Sequence, residues 1–256
     1  MKANFHTHTT RCHHATGEDR EYVLSAIENG LETLGFSDHS PYLFSDGYVS
    51  HFRMTPEESL GYVKSVRALA EEFSDKIKIY LGYEIEYYPK FFENTVNMIK
   101  NNGCDYLILG QHYLGNEMGS RCSAAPSEST DELQSYVDAL TCAMASGHIF
   151  YVAHPDVLNF TGDIDFYREQ MTRLCAEAKK YKTPLELNLL GLREGRFYPV
   201  EEFWKIVAKT GNEVIFGCDA HRPCDVASAE TVDPGYRMAD KFGLNVIEPK
   251  KPYFLK

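Results

Sequence analysis

Histidines recur along this chain where short apolar stretches end. His6 and His8 close the first stretch as an H-x-H, and His14 follows. His39 closes Gly35-Phe-Ser-Asp-His, and His112 closes Leu107-Ile-Leu-Gly-Gln-His. His154 closes Phe150-Tyr-Val-Ala-His, and His221 closes Phe216-Gly-Cys-Asp-Ala-His. Most of these stretches are β-rich, so the histidines mark strand ends. Imidazole is the commonest protein ligand for zinc, manganese and iron. One histidine at a strand end is an ordinary structural residue. The same residue at strand end after strand end points to a shared metal site, and that constrains the fold, because the ends must converge.

Strand signals fall at 2–8, 33–38, 77–85, 104–110, 149–153, 184–188 and 213–218. Helix signals fall at 19–29, 56–73, 91–101, 130–146, 165–181, 200–210 and 235–242. The second helix starts clearly: Thr55 as N-cap, Pro56 at the first position, then acidic residues. Such alternation predicts a parallel sheet. His8, His39, Glu84, His112, His154 and Asp219 all lie at or just past the C-terminal ends of successive strands. In a closed barrel those ends meet on one face; in an open sheet they spread along an edge. The chain therefore reads as a (β/α) barrel, a single domain over residues 1–256. The irregular stretches 40–55 and 113–129 each follow a ligand-bearing strand and are expected to wall the site.

Net charge is −11, with no block of Lys and Arg. Phosphate backbones need such blocks, so no nucleic-acid partner is expected. A small phosphorylated substrate is compatible, because metal ions supply positive charge locally. No apolar run is long enough to span a membrane, and the N-terminus lacks a signal-peptide core. The seven cysteines form no C-x-x-C pair, and their number is odd. Together these features predict a reduced, cytoplasmic protein without a disulfide framework. Cys12, near the histidines, is a weaker candidate ligand.

His6 and His8 share one side of their strand, because side chains alternate with period two. Glu84 ends Lys78-Ile-Tyr-Leu-Gly-Tyr-Glu, and its two oxygens suit it to bridge cations; Glu86 lies in the same register. Asp219 and His221 repeat the two-residue spacing. Asp38 and Asp156 adjoin His39 and His154; they either orient ring N–H groups or cap helices. His148 precedes its strand and reads as structural. His13 is an alternative to His14, and His51, in loop 40–55, is a further candidate.

The set His6-x-His8, His14, Ser37-Asp-His39, Gly82-Tyr-Glu84, Gln111-His112, His154-Pro-Asp and Asp219-Ala-His221 resembles the polymerase and histidinol phosphatase (PHP) family. The motifs span residues 6 to 221 in the family's order. The resemblance implies a distorted seven-stranded (β/α) TIM-like barrel and three divalent cations, zinc, manganese or iron. The first would take His6, His8, Glu84 and Asp219; the second Glu84, His112 and His154; the third His14, His39 and His221. Phe52-Arg-Met, the segment from Lys78 to Pro89, Glu186 to Arg193 with Tyr198-Pro199, and Asp219-Ala-His-Arg222-Pro223 are similar to monofunctional histidinol-phosphate phosphatases. The stretch 113–129 differs from the family, and the loop between Arg193 and Tyr198 is short.

Three divalent cations beside Glu84 and Asp219 would leave a formal charge of about four. A dianionic phosphate monoester is the natural guest, and a water shared by two cations ionises near pH ~7. Glu84 and Asp219 are thus the expected catalytic carboxylates. Arg193 and Arg222 are the expected phosphate forks, with Arg53 and His51 as further substrate contacts. The resemblance implies hydrolysis of L-histidinol phosphate to L-histidinol and phosphate, a step of histidine biosynthesis. Its cationic alcohol half would suit a wall of Tyr42, Phe44, Asp46, Tyr48 and Phe52. The alternatives are another small phosphate ester, a nucleotide phosphodiester, or a metal-dependent amidohydrolase. Amidohydrolases often bridge their metals with a carbamylated lysine on the fourth strand, and no lysine ends 104–110.

Overall fold

The computed structural model describes residues 1–44 and 47–252. Its strands are β1 (Ala3–Asn4), β2 (Thr33–Phe36), β3 (Lys78–Ile85), β4 (Tyr106–Leu109), β5 (Ile149–Val152), β6 (Leu185–Asn188), β7 (Glu213–Gly217) and β8 (Asn245–Val246). Its α-helices are α1 (Asp19–Glu28), α2 (Pro56–Glu72), α3 (Phe92–Asn101), α4 (Thr130–Ala145), α5 (Ile164–Tyr181), α6 (Leu189–Glu194), α7 (Glu201–Thr210) and α8 (Ala229–Phe242). The strands are all parallel and lie in sequence order in the sheet.

The sheet curls back on itself at the C-terminal ends of its strands. Thr7, just past β1, bridges in parallel to Ala220, just past β7. His8 N–H donates to Ala220 C=O at 3.0 Å, and Ala220 N–H to His6 C=O at 3.3 Å. The first and seventh strands thus meet at the mouth, as the seven-strand reading expects. The two-residue β8 is an addition, paired to β7 on the edge opposite β6.

Burial follows from this curl. One apolar layer lies between sheet and helices; a smaller cluster of Ala3, Phe5, Tyr106, Ile108, Phe150, Tyr151, Ala153 and Ile215 lies apart from it. The Tyr106 ring crosses close to two neighbouring strands, its hydroxyl 2.9 Å from the carbonyl oxygens of Phe5 and Phe36. Gly35 and Gly82 make room for it: a Cβ on Gly82 would fall 2.3 Å from the phenol ring.

The start of α2 is the expected one. Thr55 Oγ1 accepts from Glu58 N–H, and Glu58 Oε2 accepts from Thr55 N–H, a reciprocal cap whose loss costs ~1 kcal/mol. Two helices differ from expectation. The segment α6 follows β6 without a loop, because Asn188 Oδ1 accepts from Gly191 N–H and caps it. Helix α8 begins at Ala229 under a Ser228 cap and runs through Pro234, giving up one backbone hydrogen bond. Among the described residues, no helix is long and apolar enough to cross a membrane.

Candidate metal centre

The strand ends deliver their polar side chains to one place. His6 and His8, just past β1, are buried, with their Nε2 atoms 3.2 Å apart. Asp219, after β7, brings Oδ1 to 3.1 Å from His8 Nε2 and 3.5 Å from His6 Nε2. Glu84, near the end of β3, is fully buried at the centre. Its Oε1 lies 2.8 Å from His154 Nε2, 3.5 Å from His112 Nε2 and 3.7 Å from His6 Nε2. Its Oε2 lies 2.9 Å from His39 Nδ1 and 3.6 Å from His8 Nε2. His14 and His221 face each other, Nε2 to Nε2, at 3.0 Å.

Three groupings have ligand atoms within 4.8 Å of one another and bear on the three-cation scheme: His6, His8 and Asp219; His6, Glu84 and His154; and His14, His39 and His221. His8, Cys12 and His221 form another. Burial raises the pKa of the Cys12 thiol well above its usual range and so disfavours the thiolate.

Two ligand positions use unusual backbone. His154 has φ of 29° and Asp219 φ of 46°, the left-handed region, which costs a non-glycine residue ~1 kcal/mol or more. Glycines cradle the carboxylates. A Cβ on Gly110 would fall 1.9 Å from Glu84 Oε1, and one on Gly217 1.7 Å from Glu186 Oε1.

The donor set fits divalent cations. His39 Nδ1 and Glu84 Oε2 are close yet unaligned, so neither makes a hydrogen bond, and His154 Nδ1 is also buried without one. Buried carboxylates need compensating positive charge. Within the protein alone, that charge must come from imidazole. Burial opposes a proton on His6, but Glu186, Asp219 and Glu84 more than offset it, so its pKa stands well above the usual value. His8 is likewise raised, against burial, to about 9 by Asp219 and Asp38. His221 falls to about 3, through burial and then His8. Burial pushes Glu84 up, yet His112, His39 and His6 hold it well below the usual carboxylate range. Paired imidazole nitrogens facing one another across 3.0–3.2 Å suit a shared cation. Nitrogen and carboxylate-oxygen donors match zinc, manganese or iron.

Several orienting residues were not legible as site residues. Glu186, fully buried on β6, takes His6 Nδ1 at 2.8 Å and His154 N–H at 2.9 Å. Asn188 donates to Glu186 at 3.0 Å and to Asp219 at 3.1 Å. The available signal was two polar residues at alternate positions of an apolar strand, Leu185-Glu-Leu-Asn188. The open question about Asp38 and Asp156 resolves differently for each. Asp38 lies 3.5 Å from His8 Nδ1 and accepts from the backbone N–H groups of His39 and Thr9. Asp156 instead accepts from Val200 N–H at 2.6 Å and Trp204 Nε1–H at 3.1 Å, at the start of α7.

In front of the ligands lies a cavity of ≈ 610 Å³. His51 and Phe52 from one loop, and Tyr113, Cys122 and Ala124 from the other, line it, with Val157, Leu190, Glu194, Arg196, Phe197 and Tyr198. The expected aromatic wall is therefore corrected. Phe52 is in it, but Tyr42 is buried with its hydroxyl on Glu86 C=O, Phe44 packs on Phe91, and Tyr48 faces Glu117. Asp46 lies outside the described residues. The arginines are corrected too. Arg53 is buried against Glu86 and Glu117. Arg193 and Arg222 both turn to Asp225, at 3.4 and 2.9 Å. None of the three lines the cavity; among the described lining residues Arg196 is the guanidinium.

The fold and the ligand constellation together are those of a metal-dependent hydrolase built on a (β/α) barrel. The chain belongs to the PHP domain family, whose model matches residues 4–189. It is 28% identical over 92% of its length to the "Probable histidinol-phosphatase" of Deinococcus radiodurans, covering 89% of that protein. It is 25% identical over 90% of its length to the "Histidinol-phosphatase" of Bacillus subtilis, covering 97% of that protein. The crystal structure of histidinol phosphate phosphatase from Lactococcus lactis, complexed with Zn, L-histidinol and phosphate, superposes with a TM-score of 0.73 at 19% identity and covers 98% of each chain. That likeness confirms the barrel fold.

Proposed function

We propose that this chain is a histidinol-phosphatase that hydrolyses L-histidinol phosphate to L-histidinol and phosphate with three divalent cations, zinc, manganese or iron. The convergence of His8, His14, His39, Glu84, His112, His154, Asp219 and His221 on one cavity, with His6 buried directly behind them, carries the reading. The names of its relatives support the substrate. The assignment of ligands to cations is the one that the family resemblance implies. When bound, the cations supply positive charge for the phosphate oxygens and acidify water.

The chain's own residues do the rest. Glu186 and Asp38 fix the His6 and His8 rings. Phe52, Tyr113, Leu190, Phe197 and Tyr198 give the cavity apolar walls that exclude water and cover an imidazole. Glu194 supplies a carboxylate for the ammonium, and Arg196, 2.7 Å from it, a fork for phosphate. The seven free cysteines are in keeping with a cytoplasmic setting.

The test is kcat/KM across a panel of phosphate esters with defined metal loading. L-histidinol phosphate should exceed aryl and sugar phosphates by ~10²-fold, about 2.7 kcal/mol of discrimination. A flat profile or a preference for a nucleotide diester would overturn the substrate and leave the metal chemistry standing.

A further inference from the structure

Arg53 is among the most completely buried large side chains of the molecule, 2% exposed. Its guanidinium is held on three sides. Nε–H donates to Glu117 Oε1 at 2.5 Å, Nη2–H to Glu86 Oε1 at 2.9 Å and Nη1–H to Ser40 C=O at 2.7 Å. Aromatic rings flank it, the Phe52 centroid at 4.4 Å and the Tyr42 centroid at 5.0 Å. The same oxygen, Glu86 Oε1, takes His112 Nδ1 at 2.9 Å. A proton held there leaves His112 Nε2 with its lone pair free, toward Glu84 Oε1.

We propose that Arg53 is a positioning residue that acts through Glu86 to fix the tautomer and direction of the His112 ring for metal ligation. This rests on His112 being a ligand, as proposed above. Arg53 does not line the cavity, and its hydrogen-bonded link to His112 runs through the shared carboxylate oxygen, with the Phe52 ring packed beside both. The fork is essential, because a guanidinium serves Glu86, Glu117 and Ser40 at once, whereas an ammonium is a point charge without planar geometry. The side branch to Glu117 belongs to the loop that brings Tyr113 and Cys122 to the cavity, and Phe52 stacks on Tyr113 with centroids 5.7 Å apart. That branch holds the wall: its ring Phe52 packs near His112 at 6.2 Å between centroids, but Glu117 itself bonds to Arg53 and Tyr48 rather than to His112.

The experiment measures zinc retention by the purified full chain against a chromogenic chelator, in wild type, Arg53→Lys, Glu86→Gln, the double variant and Glu117→Gln. It is joined to ¹⁵N NMR of the His112 ring in the zinc-loaded proteins. Glu86→Gln should weaken retention at one site by ~10–100-fold, the usual consequence of losing a ligand's outer partner. Arg53→Lys should weaken the same site by ~10-fold, and both should alter the Nδ1-protonated signature of His112. The double variant should be no worse than Glu86→Gln alone, because the two residues act on one path. Glu117→Gln should leave retention within ~3-fold of wild type, since its branch bypasses Glu86. Wild-type retention and ring signature in Arg53→Lys, additive losses in the double variant, or equal loss in Glu117→Gln would overturn the route. A wild-type chain that holds no zinc would overturn the metal reading itself, and is distinguishable from failure of the route.

Discussion

Gly110 gives the most direct test of how tightly the central carboxylate is held. It follows β4, and its N–H donates to Ile85 C=O at 3.0 Å. Its backbone does not need glycine, so an alanine there meets no conformational penalty. The added methyl would nevertheless fall 1.9 Å from Glu84 Oε1 and 2.6 Å from Cδ. Glu84 would have to retreat by about 1.5 Å to regain ordinary contact. It has little space for that, being fully buried, with His154 at 2.8 Å and His39 at 2.9 Å. Functional groups need to be held within ~0.5 Å, and a displacement of ~1 Å costs ~10²-fold in rate. Gly110→Ala should therefore lower kcat/KM on L-histidinol phosphate by at least ~10²-fold, about 2.7 kcal/mol, and reduce bound metal while far-UV circular dichroism stays unchanged. Gly61→Ala is the control. Its Cβ meets nothing within 4 Å on α2, so it should keep full activity and gain ~0.5–1 kcal/mol of stability. Wild-type kcat/KM and metal content in Gly110→Ala would refute the position given to Glu84.

Three further outcomes follow from the same geometry. Glu84→Ala should abolish turnover and release more than one equivalent of metal on elemental analysis, because both oxygens lie among the imidazoles. Arg196→Ala should cut kcat/KM by ~10–10²-fold, the value of a charged hydrogen bond, whereas Arg222→Ala, whose side chain is 56% exposed on Asp225, should stay within ~3-fold; equal losses would return Arg222 to the site. Chelation should lower Tm by calorimetry and zinc should restore it, since a ligand at ~1,000 times its Kd adds ~4 kcal/mol to stability; an unchanged Tm would show that the centre folds without needing metal.

What the sequence made legible was what depends on strand position. A histidine or acid closing an apolar stretch is visible in one dimension, and convergence of such ends required the barrel. The expected strand at 2–8 is shorter, because its regular pairing with β2 ends at Asn4; Thr7 then bonds to Ser37, just past β2, and bridges on its other side to Ala220, about two hundred residues away. The helix at 189–194 was hidden because its cap, Asn188, is itself the last residue of a strand. The sequence predicts a start for α8 only after Pro234, because a proline inside a helix usually ends it. Arg53, Arg193 and Arg222 do not line the cavity, for a reason of another kind. Sequence locates a side chain after a strand but not which neighbour claims it, and Asp225 lies within three residues of Arg222. Arg196 carried no motif at all, and only the turn after α6 brings it to the cavity.

The orienting shell was harder still, because its bonds to the ligand rings span distant segments. Glu186 reaches His6 across the whole chain, and Arg53 reaches Glu117 between two loops. Their burial nonetheless says what they are for. A buried acid without a partner destabilises a fold, so Glu186 and Glu86 are tolerated where imidazole, guanidinium or amide groups share their oxygens. The left-handed backbone at His154 and Asp219 points the same way. Glycine would relieve both positions but would remove the ligand atoms. Two strained ligand positions and the buried carboxylates around them thus lie at the strand ends, while the main core cluster is apolar. Stability is supplied by that layer, and the mouth of the barrel is left to be completed by cations, whose charge the surrounding carboxylates require.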